Sequence, residues 1–293
     1  PLIIIGFIVP GIGSLAQGAG KMLGITVGLA YLSSILAGFL ALTCALLLYP
    51  IILKGQQLAS FDNPENALST GYVSIQLPPI MGVLSALILS FILGLGITAL
   101  KTRAMLNLFE DFQVIVEKML SYVIIPLLPV HIVGVFANMT LAGQVAKILT
   151  VFVWVFAMIF ILHWVTLTLQ YSVAGAVSRR NPFKMLKTMM PAYLTAIGTQ
   201  SSAATIPVTV RSAKKAGVSA RVADFAIPLC ATIHLSGSMI TITSCAVAVL
   251  FMTGKGPDFG SLAPMVLVLG VMMVAAPGVP GGGVMTAIGL LQS

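Results

Sequence analysis

Two apolar stretches of this chain are each interrupted near the middle by small and helix-breaking residues. The first runs from Met190 to Val210 around Gln200-Ser-Ser, and the second runs from Val266 to Met285 around Ala276-Pro-Gly-Val-Pro-Gly-Gly-Gly. A helix rises about 1.5 Å per residue, so about 20 residues are needed to cross a hydrocarbon core about 30 Å thick. Each uninterrupted arm has about half that length. Interrupted backbone at membrane depth is tolerated only where protein or water satisfies it, and a pair of such segments indicates a transporter's binding site.

Composition indicates that lipid surrounds most of the chain. Hydrophobic residues make up 58% of the sequence and charged residues 8%, and the mean hydropathy is +1.08. A soluble domain has about 25% charged residues. Apolar runs long enough to cross a bilayer are predicted at about 25–52, 80–100, 120–135, 148–173 and 225–252.

The basic residues are distributed unevenly around these runs. If the helix over 25–52 runs outward, twelve of the fifteen Lys and Arg residues fall on the cytoplasmic side: Lys21, Lys101, Arg103, Lys118, Arg179, Arg180, Lys184, Lys187, Arg211, Lys214, Lys215 and Arg221. Lys54, Lys147 and Lys255 fall outside. This bias follows the positive-inside rule and fixes the orientation. Nucleic acid is not an expected partner of the +8 net charge, because no basic groove with interleaved aromatic residues is present.

The remaining segments complete a predicted topology. A break is expected at Pro10-Gly-Ile-Gly near the start of the chain. A polar external loop is predicted at 54–70 and an amphipathic surface helix at 101–118. The two interrupted segments are predicted to be hairpins that enter from opposite sides, with a spanning helix between them.

Three motifs resemble those of the dicarboxylate/amino acid:cation symporters, the glutamate-transporter family. They read Ser201-Ser-Ala-Ala-Thr-Ile-Pro-Val-Thr-Val, Ile227-Pro-Leu-Cys-Ala-Thr-Ile-His-Leu-Ser-Gly-Ser and Gly278-Val-Pro-Gly-Gly-Gly. The resemblance is most specific over 181–293 and weaker upstream, where Tyr31-Leu-Ser-Ser resembles the family's third helix. The Ser-Ser-Ala-Ala motif and Ile-Thr-Ile-Thr at 240–243 are closest to the sodium-coupled serine/threonine symporter branch.

The resemblance implies an all-α polytopic membrane protein with two re-entrant helical hairpins of opposite sidedness. It implies a homotrimer in contact with lipid, in a bacterial cell or inner membrane. Residues 1–180 would be mainly scaffold helices, although the third helix at 23–53 would belong to the transport domain. Residues 181–293 would form that domain from an inner hairpin (181–215), an unwound helix (225–253) and a truncated outer hairpin (261–293). A first and a last helix of the family would lie outside this chain.

The resemblance also implies a substrate site and a cation site. The substrate positions are Ser201, Ser202, Thr205, Ser238, Gly278, Val279, Pro280 and Gly281. The Na⁺ positions are Cys230 and Leu235 through their carbonyls, with Thr232, His234, Ser236, Ser33 and Ser34. The chemistry of these groups agrees, because hydroxyls and carbonyls suit a hard cation and half-helix N-termini suit a carboxylate. Gly and Pro permit a tight reversal at a hairpin tip.

Two departures from the family's pattern affect the expected substrate and ion. The usual Asn-Met-Asp-Gly-Thr reads His234-Leu-Ser-Gly-Ser here, so Ser236 replaces a carboxylate. Gln200 stands where the glutamate branch often has Arg. A small neutral amino acid is therefore favoured over a dicarboxylate. His234 is interpreted as a cation ligand, as a proton-coupling group or as a hydrogen-bonded structural residue; His163 is expected to be structural.

The resemblance implies a symporter that works by an elevator mechanism, and two other classes of membrane protein are alternatives to it. An intramembrane serine protease would need Ser236 and His234 within hydrogen-bond reach, and residues two apart do not face each other on a helix. A channel would need repeated carbonyls or a charged ring, which the sequence does not contain. The sequence therefore predicts a transporter and not an enzyme.

Overall fold

The computed structural model describes residues 2–15, 21–53, 80–81, 83–100, 102–119, 122–123, 125–141, 145–273, 276 and 281–291. Within these ranges the chain forms twelve α-helices and no strand. They are α1 (Leu2–Leu15), α2 (Lys21–Ile52), α3 (Val83–Leu100), α4 (Arg103–Met119), α5 (Ile125–Leu141), α6 (Val145–Ser178), α7 (Pro182–Thr199), α8 (Ser202–Lys215), α9 (Ala220–Ile233), α10 (Ser236–Met252), α11 (Phe259–Met273) and α12 (Gly282–Leu291). The all-α prediction is confirmed.

Three described stretches are long and apolar enough to cross a membrane. They are Gly24–Ile52, Leu149–Ser178 and Ala220–Met252. The third has sufficient length only as a whole, because it comprises α9 with 14 residues and α10 with 17. The predicted amphipathic segment forms α4, whereas the predicted external loop at 54–70 lies outside the described residues.

The break predicted at Pro10 is wrong, since α1 continues through this proline to Leu15. Packing stabilises the helix on both sides of it: Val9, directly before the proline, is fully buried in a cluster with Ile97 and Leu106. The Thr98 hydroxyl donates a hydrogen bond to the Ile12 carbonyl at 3.1 Å. These contacts with the following helices offset the hydrogen bond that the proline cannot make.

The chain forms two compact units by its internal contacts. Among the described residues, the first unit comprises those within 1–17, 42–158 and 244–263. Besides the cluster around Val9, it contains Tyr49, whose hydroxyl donates to the Ser244 carbonyl at 3.1 Å and whose ring meets Phe251 edge-on at 6.2 Å. These contacts join the end of α2 to the second half of α10.

The second unit comprises the described residues within 18–41, 159–243 and 264–293. Here α7 and α8 pack against each other as an antiparallel helical pair, called the hairpin below. Helices α9 and α10 are separated at His234–Leu235, called the helix break below, which lies inside the segment predicted to be unwound. All but three of the residues proposed for substrate or cation binding are described in this unit, and the three exceptions lie outside the described residues.

Candidate functional site

The tip of the hairpin is a tight two-residue connection. Gln200 ends α7 in the left-handed region at φ 51°, and its N–H donates to the Ala196 carbonyl at 2.8 Å. Ser201 then has extended backbone, and its side-chain oxygen caps α8 by accepting from the Ala204 N–H at 3.3 Å. Ser202 begins α8 and is exposed. The tip therefore presents the N-terminal end of a half-helix, whose N–H groups favour an anionic partner.

Threonine hydroxyls hold this tip in shape. Thr205 is 5% exposed and donates to the Ser201 carbonyl at 2.7 Å. Its oxygen also lies 3.3 Å from the Thr199 hydroxyl oxygen. Because the proton of Thr205 is directed into the hairpin, this residue positions the tip and does not project from it.

The helix break supplies backbone oxygens. His234 has φ −115° and ψ 84°, outside the helical region, and its N–H donates to the Cys230 carbonyl at 3.0 Å. The Leu235 carbonyl accepts from the Met239 N–H at 3.0 Å. The last four carbonyls of a helix have no partner within it, and only that of Cys230 is satisfied by the cap. The carbonyls of residues 231–233 are thus directed toward the break.

A hydrogen-bonded chain of three side chains adjoins the break. Gln170 on α6 donates from Nε2 to the Ser33 hydroxyl oxygen on α2 at 2.9 Å, and that oxygen lies 3.2 Å from Nε2 of His234. Neighbouring Ser34 is 2% exposed, and its buried hydroxyl has no hydrogen-bond partner among the described residues. Ser33 is thus engaged by two side chains, whereas the hydrogen-bonding capacity of the buried Ser34 hydroxyl is unused among the described residues.

His163 is a site residue that the sequence analysis assigned to structure alone. Its Nε2 lies 3.2 Å from the Gly237 carbonyl oxygen and 3.5 Å from the Thr241 hydroxyl oxygen. With the proton on Nε2, the imidazole donates to the carbonyl and ties α6 to the first turn of α10. No sequence signal connects His163 to Gly237, which is 74 residues away.

A cavity of about 740 Å³, called the tip cavity below, brings several of the proposed residues together. The proposed residues that line it are Ser201 and Ser202 of the hairpin, Leu235 of the helix break, Ser238 of α10, and Gly281. The other lining residues are His163, Ala196, Gln200, Gly237, Thr241, Ile242, Gly282, Gly283 and Val284. Among these described residues His163 is the one ionisable side chain. The polar groups of the cavity are therefore hydroxyls, the Gln200 amide, the His163 imidazole and backbone.

The start of α12 lies close to the tip cavity. Gly281 has φ +75°, and a Cβ atom added at Gly283 would lie 2.8 Å from the Ser238 side-chain oxygen. The backbone of α12 can approach Ser238 this closely because glycine has no side chain. The proposed positions Gly278, Val279 and Pro280 lie outside the described residues.

The other proposed residues are separated from the tip cavity. Thr205, Cys230 and His234 line a second, mostly apolar cavity of about 400 Å³, which Ser202 also reaches. Thr232 is exposed, and its hydroxyl donates to the Leu229 carbonyl at 3.0 Å, which leaves its lone pairs free to accept a cation. Ser236 begins α10, and the described partner of the His234 imidazole is Ser33.

Comparison with known proteins gives related transporters. A model of the sodium:dicarboxylate symporter family matches residues 1–293. Excitatory amino acid transporter 2 of Homo sapiens is 33% identical over 118 residues, which are 40% of this chain and 21% of that protein. An excitatory amino acid transporter of Caenorhabditis elegans is 25% identical over 258 residues, 82% of this chain and 50% of that protein. Neutral amino acid transporter B(0) of Mus musculus is 31% identical over 117 residues, 40% of this chain and 21% of that protein.

The chain spans half or less of the length of these relatives. The family match nevertheless extends over all of its residues and agrees with the motifs at Ser201, Ile227 and Gly278. The chain belongs to the sodium:dicarboxylate symporter family, which comprises transporters and not enzymes.

Proposed function

We propose that the full-length protein is a symporter that carries a small neutral amino acid into the cell together with Na⁺. The family implies sodium coupling and a small amino-acid or dicarboxylate substrate. The observation that carries the choice of a neutral substrate is the lining of the tip cavity. Its described residues include no carboxylate and no guanidinium, and Gln200 offers an uncharged amide. A second carboxylate on the substrate would be desolvated there without a fixed cation.

The substrate's common groups match the ends of two half-helices. Its α-carboxylate would accept from the N–H groups at the start of α8, beside Ser201 and Ser202. The hydroxyl of Ser238 would contact the substrate from the opposite side of the cavity. Residues 278–281 would close over it, and Thr205 would hold the hairpin tip in its binding shape.

The coupling cation would be held near the helix break. The Cys230 and Leu235 carbonyls each accept one backbone N–H and keep a second lone pair for a cation. With the hydroxyls of Thr232 and Ser236 and the Ser34 hydroxyl, which has no described partner, they are oxygen ligands of the kind that Na⁺ requires. The donor set fits a monovalent ion, because all these groups are neutral. Ser33 and His234 fit less well, since each already contacts the other and Ser33 also accepts from Gln170.

The proposed transport movement uses the two domains predicted from the family resemblance. Residues 181–293, with the helix over 23–53, would form a transport domain that moves past scaffold helices of a homotrimer in a bacterial cell or inner membrane. The long apolar stretches support a multi-pass membrane protein. Cation binding at Ser34 would connect α2 to the helix break and so couple ion occupancy to the moving part.

Uptake by the reconstituted full-length protein tests this proposal. Proteoliposomes loaded without Na⁺ would receive radiolabelled serine, threonine or glutamate under an inward Na⁺ gradient. The proposal expects accumulation of serine or threonine above the equilibrium level, abolished when choline replaces Na⁺. Accumulation driven equally by a proton gradient would assign coupling to protons, and downhill flux alone would indicate a channel. Preferential accumulation of glutamate would refute the neutral substrate.

A further inference from the structure

A third cavity lies between the two arms of the hairpin, away from its tip. This arm cleft, of about 420 Å³, is lined by Lys187, Thr188 and Pro191 of α7 and by Val208, Arg211, Ser212 and Lys215 of α8. The residues of α8 recur at intervals of three and four, so they share one helix face. Three cationic side chains and two hydroxyl-bearing residues therefore surround one space.

No carboxylate lines the arm cleft among the described residues. The nearby acid Asp224 is already paired, since its carboxylate lies 2.7 Å from Nζ of Lys214, a lysine outside the cleft. Lys187 lies on α7, and Arg211 and Lys215 lie on α8, so exposed cationic side chains border the cleft from both arms. An anion bound between them would join α7 to α8.

We infer that the arm cleft is a binding site for a phosphomonoester group. A phosphomonoester carries a charge of about −1.5 to −2 at neutral pH, which matches three cationic residues around one cleft better than the single charge of a carboxylate or chloride. Arg211 presents a planar fork that can donate to two phosphate oxygens, and the lysines add point charges. The Thr188 hydroxyl already donates to the Lys184 carbonyl at 2.9 Å, so the hydrogen bonds to the phosphate would come from the guanidinium and the two ammonium groups. The cavity also has room for part of the group that bears the phosphate.

The charge distribution of the sequence places this end of the hairpin at the cytoplasmic surface. Two sources of the group are available there: the headgroup of an anionic lipid such as phosphatidic acid, and a dissolved phosphate compound. Either source would hold the arms together at their base while the tip remains free to bind substrate. The site is independent of which substrate is transported.

Binding is tested with the full-length protein purified in detergent. Inorganic phosphate, at the same ionic strength as a chloride reference, is expected to raise the temperature of thermal unfolding. The triple variant Lys187→Gln, Arg211→Gln, Lys215→Gln should weaken the apparent affinity for phosphate by at least about tenfold, since it removes several charge-assisted contacts. The matched control is Lys118→Gln, Arg221→Gln, Lys255→Gln, which removes the same charge from exposed residues outside the cleft. It should keep the parent's response.

Nanodiscs distinguish the two sources. Stabilisation by phosphatidic acid over phosphatidylcholine, lost in the cleft variant, would assign a lipid headgroup, whereas an effect of inorganic phosphate alone would assign a dissolved compound. Equal responses of parent, cleft variant and control, or no response to either probe, would overturn the site. If the triple variant fails to fold, the single variant Arg211→Lys replaces it. This variant keeps the positive charge but lacks the planar guanidinium that can donate to two phosphate oxygens, so it should weaken phosphate binding about tenfold. Unchanged affinity in that variant would also overturn it.

Discussion

At the scale of single residues, the role of each hydroxyl depends on where its proton and lone pairs are directed. The family resemblance assigns Thr205 to the substrate site and Ser33 to the cation site. In the structure the Thr205 hydroxyl donates to the Ser201 carbonyl, and the Ser33 hydroxyl contacts Gln170 and His234. Ser34 is as buried as a core residue and has no partner among the described residues. The sequence indicates which hydroxyl residues are candidate ligands. The hydrogen-bond partners of Ser33 could not be predicted, because these partners lie far from it in the chain.

Removal of the Ser34 hydroxyl should have opposite effects on stability and on coupling. A buried hydroxyl without a partner costs about 1–3 kcal/mol, so Ser34→Ala should not lower the free energy of unfolding measured without Na⁺. If the hydroxyl binds the cation, the same variant should raise the Na⁺ concentration for half-maximal uptake about fivefold, equivalent to about 1 kcal/mol. Denaturation in choline buffer and uptake against Na⁺ concentration provide the two measurements. A destabilised variant with unchanged Na⁺ dependence would contradict this role.

His163 should affect substrate affinity through the position of α10. Loss of its hydrogen bond to the Gly237 carbonyl in His163→Leu is expected to raise the KM for substrate about fivefold, since one such bond contributes about 1 kcal/mol. His163→Gln retains a donor and should recover most of the loss. The KM and maximal rate of uptake are compared in both variants. Equal KM values in parent and His163→Leu would show that this contact does not position the site.

At the scale of elements, the local sequence predicts where α7 begins, whereas tertiary packing decides whether α1 continues through Pro10. Asn181-Pro182 is a helix start that can be read directly, because Asn caps and proline is tolerated at the first helical position. The segment 181–215, which the resemblance assigns to an inner hairpin, contains α7 and α8. At Pro10 the local sequence predicts a break, but α1 continues through it. Its neighbour Val9 packs against Ile97 and Leu106, and the local sequence does not reveal these contacts.

The cap at Asn181 provides a test of how the hairpin is held at its base. Its side-chain oxygen accepts from the Phe183 and Lys184 N–H groups at 3.0 and 3.1 Å. Asn181→Ala should lower the free energy of unfolding by about 1 kcal/mol, whereas Asn181→Asp retains the acceptor and should be nearly neutral. Hydrogen exchange in the first turn of α7 should rise only in the Ala variant. Similar exchange in both variants would mean that the cap does not stabilise this helix.

At the scale of the whole molecule, glycines decide which helices approach closely. The apolar runs of this chain predict helices, but lipid is as apolar as their side chains, so hydrophobicity alone does not select partners. Gly38 on α2 faces Met239 and Val266, and Gly270 on α11 faces Ile35. These contacts join α2, α10 and α11 within one unit. The sequence shows twenty-eight glycines without indicating which of them lie at such contacts.

Two glycines on α2 allow this interpretation to be tested within one helix. A Cβ atom at Gly38 would lie 2.7 Å from Cε of Met239 and 2.8 Å from Cγ1 of Val266, whereas one at Gly28 would have no atom within 4 Å. Gly38→Val should therefore overpack the contact and lower the free energy of unfolding by about 1–3 kcal/mol. Gly28→Val adds the same atoms in open space and should leave stability unchanged or slightly raised, because glycine is a poor helix former. Thermal unfolding in detergent compares the two. Equal loss in both variants would assign the effect to the presence of valine in this helix. A stable Gly38→Val would show that the Met239 and Val266 side chains can move aside without cost, which would contradict the tight contact.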